Sequence, residues 1–282
     1  MAQDYVKLAD SQLFILKALA NYRFLTVSQM LALDYDISRT QIYSKIKLLR
    51  EGTKPLVQTI DLGSLPGKGR LDVIYYLSQH GALVLQDLGL ELENINYPKR
   101  IRALSTDYLH RISSVDFHVA ASLWAKSEAI RLDKYESYYD DGKKGPKGKS
   151  VQRTHISFGN KKFMPDAIFK FTTADDISRL CCFELHNGVE VKRLMEQLEV
   201  YCEALQVRAI EDSYNYPHSA RVLLVFEQEK CLQKVQMAFQ KRDDLADYRP
   251  NFFCKTVDEI TDGNFKEDWH TLYDENLRPL FG

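Results

Sequence analysis

The sequence predicts an α/β (α+β) protein in two parts: a small N-terminal domain of short helices and a hairpin, then a mixed sheet flanked by helices. Three observations predict it. Two Ser/Thr-x-x-Gln boxes, Thr26-Val-Ser-Gln29 and Ser38-Arg-Thr-Gln41, open successive helices. Two short β-like runs flank a glycine-rich basic tip, Gly63-Ser-Leu-Pro-Gly-Lys-Gly-Arg70. Beyond residue 130, strand-like runs alternate with strongly periodic helical ones.

The N-terminal elements follow in order. Ser11 to Ala20 has apolar residues at helical spacing, and Asn21 to Phe24 breaks it. In each Gln box the hydroxyl caps a backbone amide and the Gln reaches back, so two short helices start at defined points. In the second of these, Ile42, Ile46 and Leu49 fall on one face, which leaves Arg39, Thr40, Tyr43, Ser44 and Lys47 on the flanks or opposite side. Those residue types contact phosphates and base edges, as a recognition helix must. Leu56 to Ile60 and Leu71 to Leu77 read as strands joined by a tip that carries Lys68 and Arg70, and a helix over 79–89 closes the unit. Three helices, a basic-tipped hairpin and a closing helix make a winged helix-turn-helix, expected over residues 1–96. A domain of this kind can also serve protein contacts.

The second domain is expected over residues 97–282. Tyr97 to Arg102 reads as a linker, Ser105 to Ser127 as a long amphipathic helix, and Arg131 to Tyr139 as a strand. The loop Gly142-Lys-Lys-Gly-Pro-Lys-Gly-Lys-Ser150 comes close to a phosphate-binding loop and fails it. Lys143 stands where the first Gly belongs, and Val151 to Phe158 reads as strand where a helix is required. Lys143, Lys144, Lys147 and Lys149 are instead expected to form a mobile basic loop near DNA. Phe163 to Phe171 and Arg179 to His186 read as strands, Val189 to Gln206 as a helix, Ala220 to Phe226 as a strand, Cys231 to Lys241 as a helix and Asn251 to Val257 as a strand.

With 282 residues, 45% of them hydrophobic, and a net charge of −1, the chain suits one large domain or two ordinary ones, and it is neither disordered nor uniformly basic. The charge is uneven: seven Lys/Arg against two Asp/Glu over 37–70, seven against one over 141–162, and six against ten from Lys241 onward. Two basic clusters on a neutral chain suggest a polyanion held at two places, although solvated loops give the same pattern. The five cysteines include no Cys-x-x-Cys pair, which argues against a zinc site. No apolar run approaches the roughly 20 residues of a membrane span, and no signal-peptide pattern is present, so a cytoplasmic protein is expected.

In Arg179 to His186, alternation puts Cys182, Glu184 and His186 on one face of the strand, and in the preceding strand it groups Asp166, Ile168 and Lys170. If the two strands pair as a hairpin, Asp166 and Glu184 share a side of the sheet. Two convergent carboxylates suit a hard divalent cation such as Mg²⁺. In the following helix Glu190, Gln197 and Tyr201 line the border of the apolar stripe Val191, Leu194, Met195, Leu198, Cys202 and Leu205.

This order of elements resembles the restriction-endonuclease-like core. Pro165-Asp166 followed by Glu184-Leu-His186 is similar to the PD-(D/E)xK signature, with His in the lysine position. Gln197-Leu-Glu-Val-Tyr201 resembles the Gln-x-x-x-Tyr helix motif of RecB-like members. A winged helix joined to this core resembles the replication-relaxation family, which includes MobC-type mobilisation relaxases. That family tends to read Glu-x-Asp-x-Gly-Thr-Glu where this chain has Glu184-Leu-His-Asn-Gly-Val-Glu190; Gly188 and Glu190 match, and His186 and Val189 depart.

The resemblance implies a metal-dependent nicking endonuclease acting on plasmid or mobile-element DNA in transfer or replication. Asp166 and Glu184 would bind Mg²⁺ or Mn²⁺, His186 would stand in for the lysine, and Gln197 and Tyr201 would position the strand. Lys170 and Lys192 are candidates for the missing positive charge, though neither has the motif's spacing. Double-stranded DNA, with a nicked or single-stranded region, is the implied partner. A second copy of the chain and accessory mobilisation or replication proteins stay open as further partners, as does the partner of the acidic tail. The alternative is a non-catalytic DNA-binding transcription or replication regulator with a degenerate nuclease-like domain. On that reading Glu184 pairs with Arg193 or a loop lysine, His186 is an ordinary strand-end histidine, and Gln197 and Tyr201 are packing.

Overall fold

The computed structural model of the chain describes residues 8–33, 36–91, 95–98, 107–144, 150–273 and 276–280, with 141–144 and 150 described by their backbone alone. The chain is a mixed α/β structure that divides into two compact units, residues 1–115 and 116–282.

Unit 1 begins with α1 (Asp10–Tyr22), α2 (Val27–Ala32) and α3 (Arg39–Arg50). The two Gln boxes determine where α2 and α3 start. Thr26 Oγ1 accepts from the Gln29 amide at 3.2 Å while Gln29 Oε1 accepts from the Thr26 amide at 2.9 Å. Ser38 and Gln41 repeat the exchange at 3.3 and 2.8 Å. Each reciprocal pair satisfies amides that a helix start leaves without partners. β1 (Val57–Ile60) pairs antiparallel with β4 (Ile74–Leu77), and β2 (Ser64–Leu65) with β3 (Gly69–Arg70) forms a small ribbon at the tip between them. Leu25 adds a single bridge to Tyr75 on the far side of β4. α4 (Gln79–Asp87) is capped by Ser78 and lies hard against the start of β1. A Cβ on Gly81 would come within 2.2 Å of the Leu56 carbonyl oxygen, so only glycine admits this approach. Ile15, Leu19, Met30, Ile46, Leu77 and Leu85 are among the buried side chains of this unit.

The division falls within α5 (Tyr108–Ser127), later than the boundary expected at residue 96. The first turns of α5 belong to unit 1 because of specific bonds: Tyr108 donates to the Asp72 carbonyl at 3.0 Å, and Gln29 Nε2 donates to the Ile112 carbonyl at 3.1 Å.

In unit 2, β5 (Arg131–Ser137) is followed by two small ribbons, β6 (Asp141–Lys144) with β7 (Ser150–Gln152) and β8 (Ile156–Phe158) with β9 (Lys161–Phe163). Then come β10 (Ala167–Thr172), β11 (Ser178–His186), α6 (Val191–Gln206), α7 (Ala209–Ser213), β12 (Arg221–Phe226), α8 (Glu229–Gln240), a 3-10 helix (Asp243–Asn251), β13 (Phe252–Thr256), α9 (Val257–Thr261) and β14 (His270–Thr271). One six-stranded mixed sheet runs β14-β13-β12-β11-β10-β5. β5, β10 and β11 pair antiparallel, β11, β12 and β13 pair parallel, and β14 returns antiparallel. Parallel neighbours require crossovers, which α6 and α8 supply.

Strand alternation gives the sheet two buried faces. Ile168, Cys182, Val222 and Leu224 pack with Leu198 of α6 and Val235 of α8. Phe169, Phe183, Leu223 and Val225 pack on the other face with Phe117 and Trp124 of α5 and with Phe265 and Trp269. β11 is central and covered on both sides, which explains its nearly unbroken apolar run.

Three expectations change. Part of the anticipated 142–150 loop is an antiparallel ribbon, and Lys147 and Lys149 lie outside the described residues. The strand read from Val151 to Phe158 is broken by a turn between β7 and β8. The strand read from Phe163 to Phe171 divides at Met164–Asp166, where Pro165 has no amide to give a ladder.

Candidate active site

β10 and β11 are antiparallel with Ala167 opposite Phe183 and Ile168 opposite Cys182. One step further in that register sets Asp166 across from Glu184, on the face that α6 covers. Asp166 sits at the mouth of its strand. Its carboxylate accepts from the Leu185 amide at 2.8 Å, and its carbonyl accepts from the Tyr138 amide at 2.9 Å. Glu184 is 4% exposed, in the middle of an apolar strand.

α6 supplies the groups that hold it there. Gln197 and Tyr201 are four residues apart and therefore neighbours on one helix face. Tyr201 donates its hydroxyl to Glu184 Oε1 at 2.5 Å, and the Gln197 side chain hydrogen-bonds the same carboxyl. Tyr201 is 0% exposed, so it lies within the buried stripe of α6 and not on its border. The ring of Phe163, at the end of β9, closes over it edge-on at 4.9 Å and 71°. Tyr201 thus acts on Glu184 from inside the core and offers no surface to a DNA strand.

Burial pushes the Glu184 carboxyl well above the usual carboxylate range, and the adjacent Asp166 charge adds to it; the bonds from Tyr201 and Gln197 pull the other way. Burial and Glu184 also hold the Tyr201 phenol well above its ordinary value. Among the described residues no Lys or Arg is ion-paired with Glu184, so the salt bridge considered for Arg193 is not formed. A buried carboxyl held by neutral donors beside a second carboxylate is costly unless a proton or a cation is shared between them.

His186 follows on the same face at the end of β11, half-buried, its ring 5.1 Å from that of Phe226. Lys170 shares the face but lies 3.8 Å from Asp133, and Lys192 is exposed on α6. Neither brings an ammonium to the carboxyl pair. Sequence reasoning missed Glu136. It is a further buried carboxylate on this face, opposite Ile168, that accepts from Tyr214 at 2.8 Å and pairs with Lys134 at 3.0 Å. Alternation in β5 carried a signal for it, but its partners arrive through tertiary packing. Among the described residues no three or more His, Cys, Asp or Glu side chains gather as a metal-binding group.

In unit 1 the exposed side of α3 carries Arg39, Thr40, Tyr43, Ser44 and Lys47, opposite the buried Ile42, Ile46 and Leu49. Tyr43 is 49% exposed. At the tip ribbon Lys68 is exposed, and Arg70 is bound to Asp61 at 2.7 Å, which partly offsets its charge. Lys143 and Lys144 are in β6, with only their backbone described.

No family model, curated protein or solved structure matches this chain. No helix among the described residues is long and apolar enough to cross a membrane.

Proposed function

We propose that the chain is a DNA-binding, metal-dependent nicking endonuclease of the PD-(D/E)xK kind, akin to the replication-relaxation family, acting on plasmid or mobile-element DNA. The observation that carries this reading is Asp166 set across from Glu184, with Gln197 and Tyr201 of α6 both bonded to that buried glutamate. The donor set fits Mg²⁺ or Mn²⁺: both side chains offer hard oxygen ligands, no Lys or Arg among the described residues is ion-paired with Glu184, and two carboxylates leave room for the waters Mg²⁺ retains. Asp166 and Glu184 would hold the ion, which supplies charge stabilisation at a phosphodiester and lowers the pKa of water. Tyr201 and Gln197 fix the Glu184 rotamer, and the Leu185 amide fixes Asp166. The DNA-binding half falls to unit 1, as a winged helix whose α3 would present Arg39, Tyr43, Ser44 and Lys47 to a groove while Lys68 at the tip reaches a phosphate.

One observation favours the second reading, a DNA-binding regulator with a degenerate nuclease fold. His186 stands where the motif has lysine, and neither Lys170 nor Lys192 replaces that charge beside the pair. Supercoiled plasmid incubated with the protein and Mn²⁺ separates the two. The nickase reading expects open circles from the wild type and none from Glu184→Gln. DNA binding without open circles from the wild type leaves the regulator.

A further inference from the structure

We propose that the β8–β9 hairpin is a clamp for the phosphate backbone of the DNA strand entering the Asp166–Glu184 site; this rests on the DNA-cleaving reading above and assigns its substrate path. The hairpin register sorts its side chains into two rows. Ile156 lies opposite Phe163, Phe158 opposite Lys161, and Ser157 opposite Lys162. The first two pairs form the inner row. Ile156 is buried, Phe158 and Phe163 pack against the α6 core, and Lys161 is bound to Glu203 of α6. The inner row therefore anchors the hairpin and sets the charge of Lys161 against that of Glu203.

The outer row is different. Ser157 and Lys162 are both exposed and stand directly across from each other, and His155 Nδ1 lies 3.4 Å from Ser157 Oγ. Among the described residues Lys162 makes no ion pair. An ammonium, a hydroxyl and an imidazole side by side are a donor set for phosphate oxygens. The placement links this row to the carboxyl pair. Phe163 rests on Tyr201, which itself holds Glu184, so one packing contact sets the position of the arm relative to the site. Lys162 precedes Asp166 by four residues, a reach of at most about 14 Å in extended chain. At roughly 3.4 Å of rise per phosphate along one strand, that is within about four phosphates of a bond held at Asp166 and Glu184.

The test is equilibrium binding of the full chain to a labelled duplex oligonucleotide in EDTA, over 50 to 200 mM salt. One phosphate contact contributes about 0.9 to the slope of log K against log salt, which amounts to about eight-fold in affinity at 0.1 M. Lys162→Ala is expected to lose that slope and that affinity, and Lys161→Ala, whose charge faces Glu203, is expected to keep both. An unchanged slope in Lys162→Ala overturns the clamp even if the protein nicks plasmid. Equal losses in the two variants, or no DNA binding by the wild type, overturn it as well. A reduced slope confined to Lys162→Ala supports the clamp even if no nicking is ever seen, in which case the catalytic reading alone falls.

Discussion

Replacing Tyr201 with phenylalanine removes one oxygen and leaves the ring in place against Phe163. The structure gives this change a definite cost. The lost bond is a 2.5 Å donation to a buried carboxyl, and above the folded pKa, where that carboxyl is ionised, such a bond is worth about 1.5–3 kcal/mol. For a unit of this size each kcal/mol moves the melting temperature by about 2–4 °C, so a fall of about 3–12 °C is expected. The pH dependence is the sharper part. The folded Glu184 carboxyl titrates well above its unfolded value of about 4.3, so its contribution to stability is fully present below that value and is lost as pH rises through the folded pKa. The Tyr201 bond favours the charged form, and removing it raises the folded pKa further. The penalty of Tyr201→Phe must therefore grow with rising pH and shrink in acid, where Glu184 is protonated in both proteins. Thermal melts of the two proteins by circular dichroism, in chelator at several pH values, measure it. Equal melting temperatures throughout, or a gap that narrows as pH rises, would refute the assignment of Tyr201 as the support of Glu184.

Other consequences follow from the same geometry. Lys47→Ala should weaken DNA binding and reduce the salt slope by about 0.9, and an unchanged slope counts against α3 as the DNA-facing helix. The five cysteines are buried, and burial pushes Cys181 up to about 12, so a thiol reagent should label none in the native protein and all five in denaturant; rapid native labelling would contradict the packing. Gly81→Ala should destabilise unit 1 despite the better helix propensity of alanine. Overpacking costs about 1–3 kcal/mol, and a urea melt showing a gain would mean that α4 does not press on Leu56.

Much of this arrangement was legible in the sequence because it rests on local periodicity. The Gln boxes fixed the starts of α2 and α3, and alternation in the runs around β10 and β11, with the two paired as a hairpin, put Asp166 and Glu184 on one side. What the sequence hid depends on what packs over each element. Helical periodicity put Tyr201 at the border of a stripe, but it cannot reveal that Phe163 from a separate hairpin closes over that border. Likewise Lys161 and Lys162 are adjacent identical residues in the sequence. Only the β8–β9 register turns one toward Glu203 and the other outward. The boundary read at residue 96 followed linker composition, whereas the bonds of Tyr108 and Gln29 carry unit 1 into α5.

A cation site formed by Asp166 and Glu184 is put to the test by a calorimetric titration of Mn²⁺ into the protein bound to a duplex oligonucleotide. Saturable binding to the wild type should disappear in both Asp166→Asn and Glu184→Gln while each variant stays folded and DNA-bound. Binding that survives unchanged in both folded variants, or no Mn²⁺ binding by the wild-type complex, would contradict it.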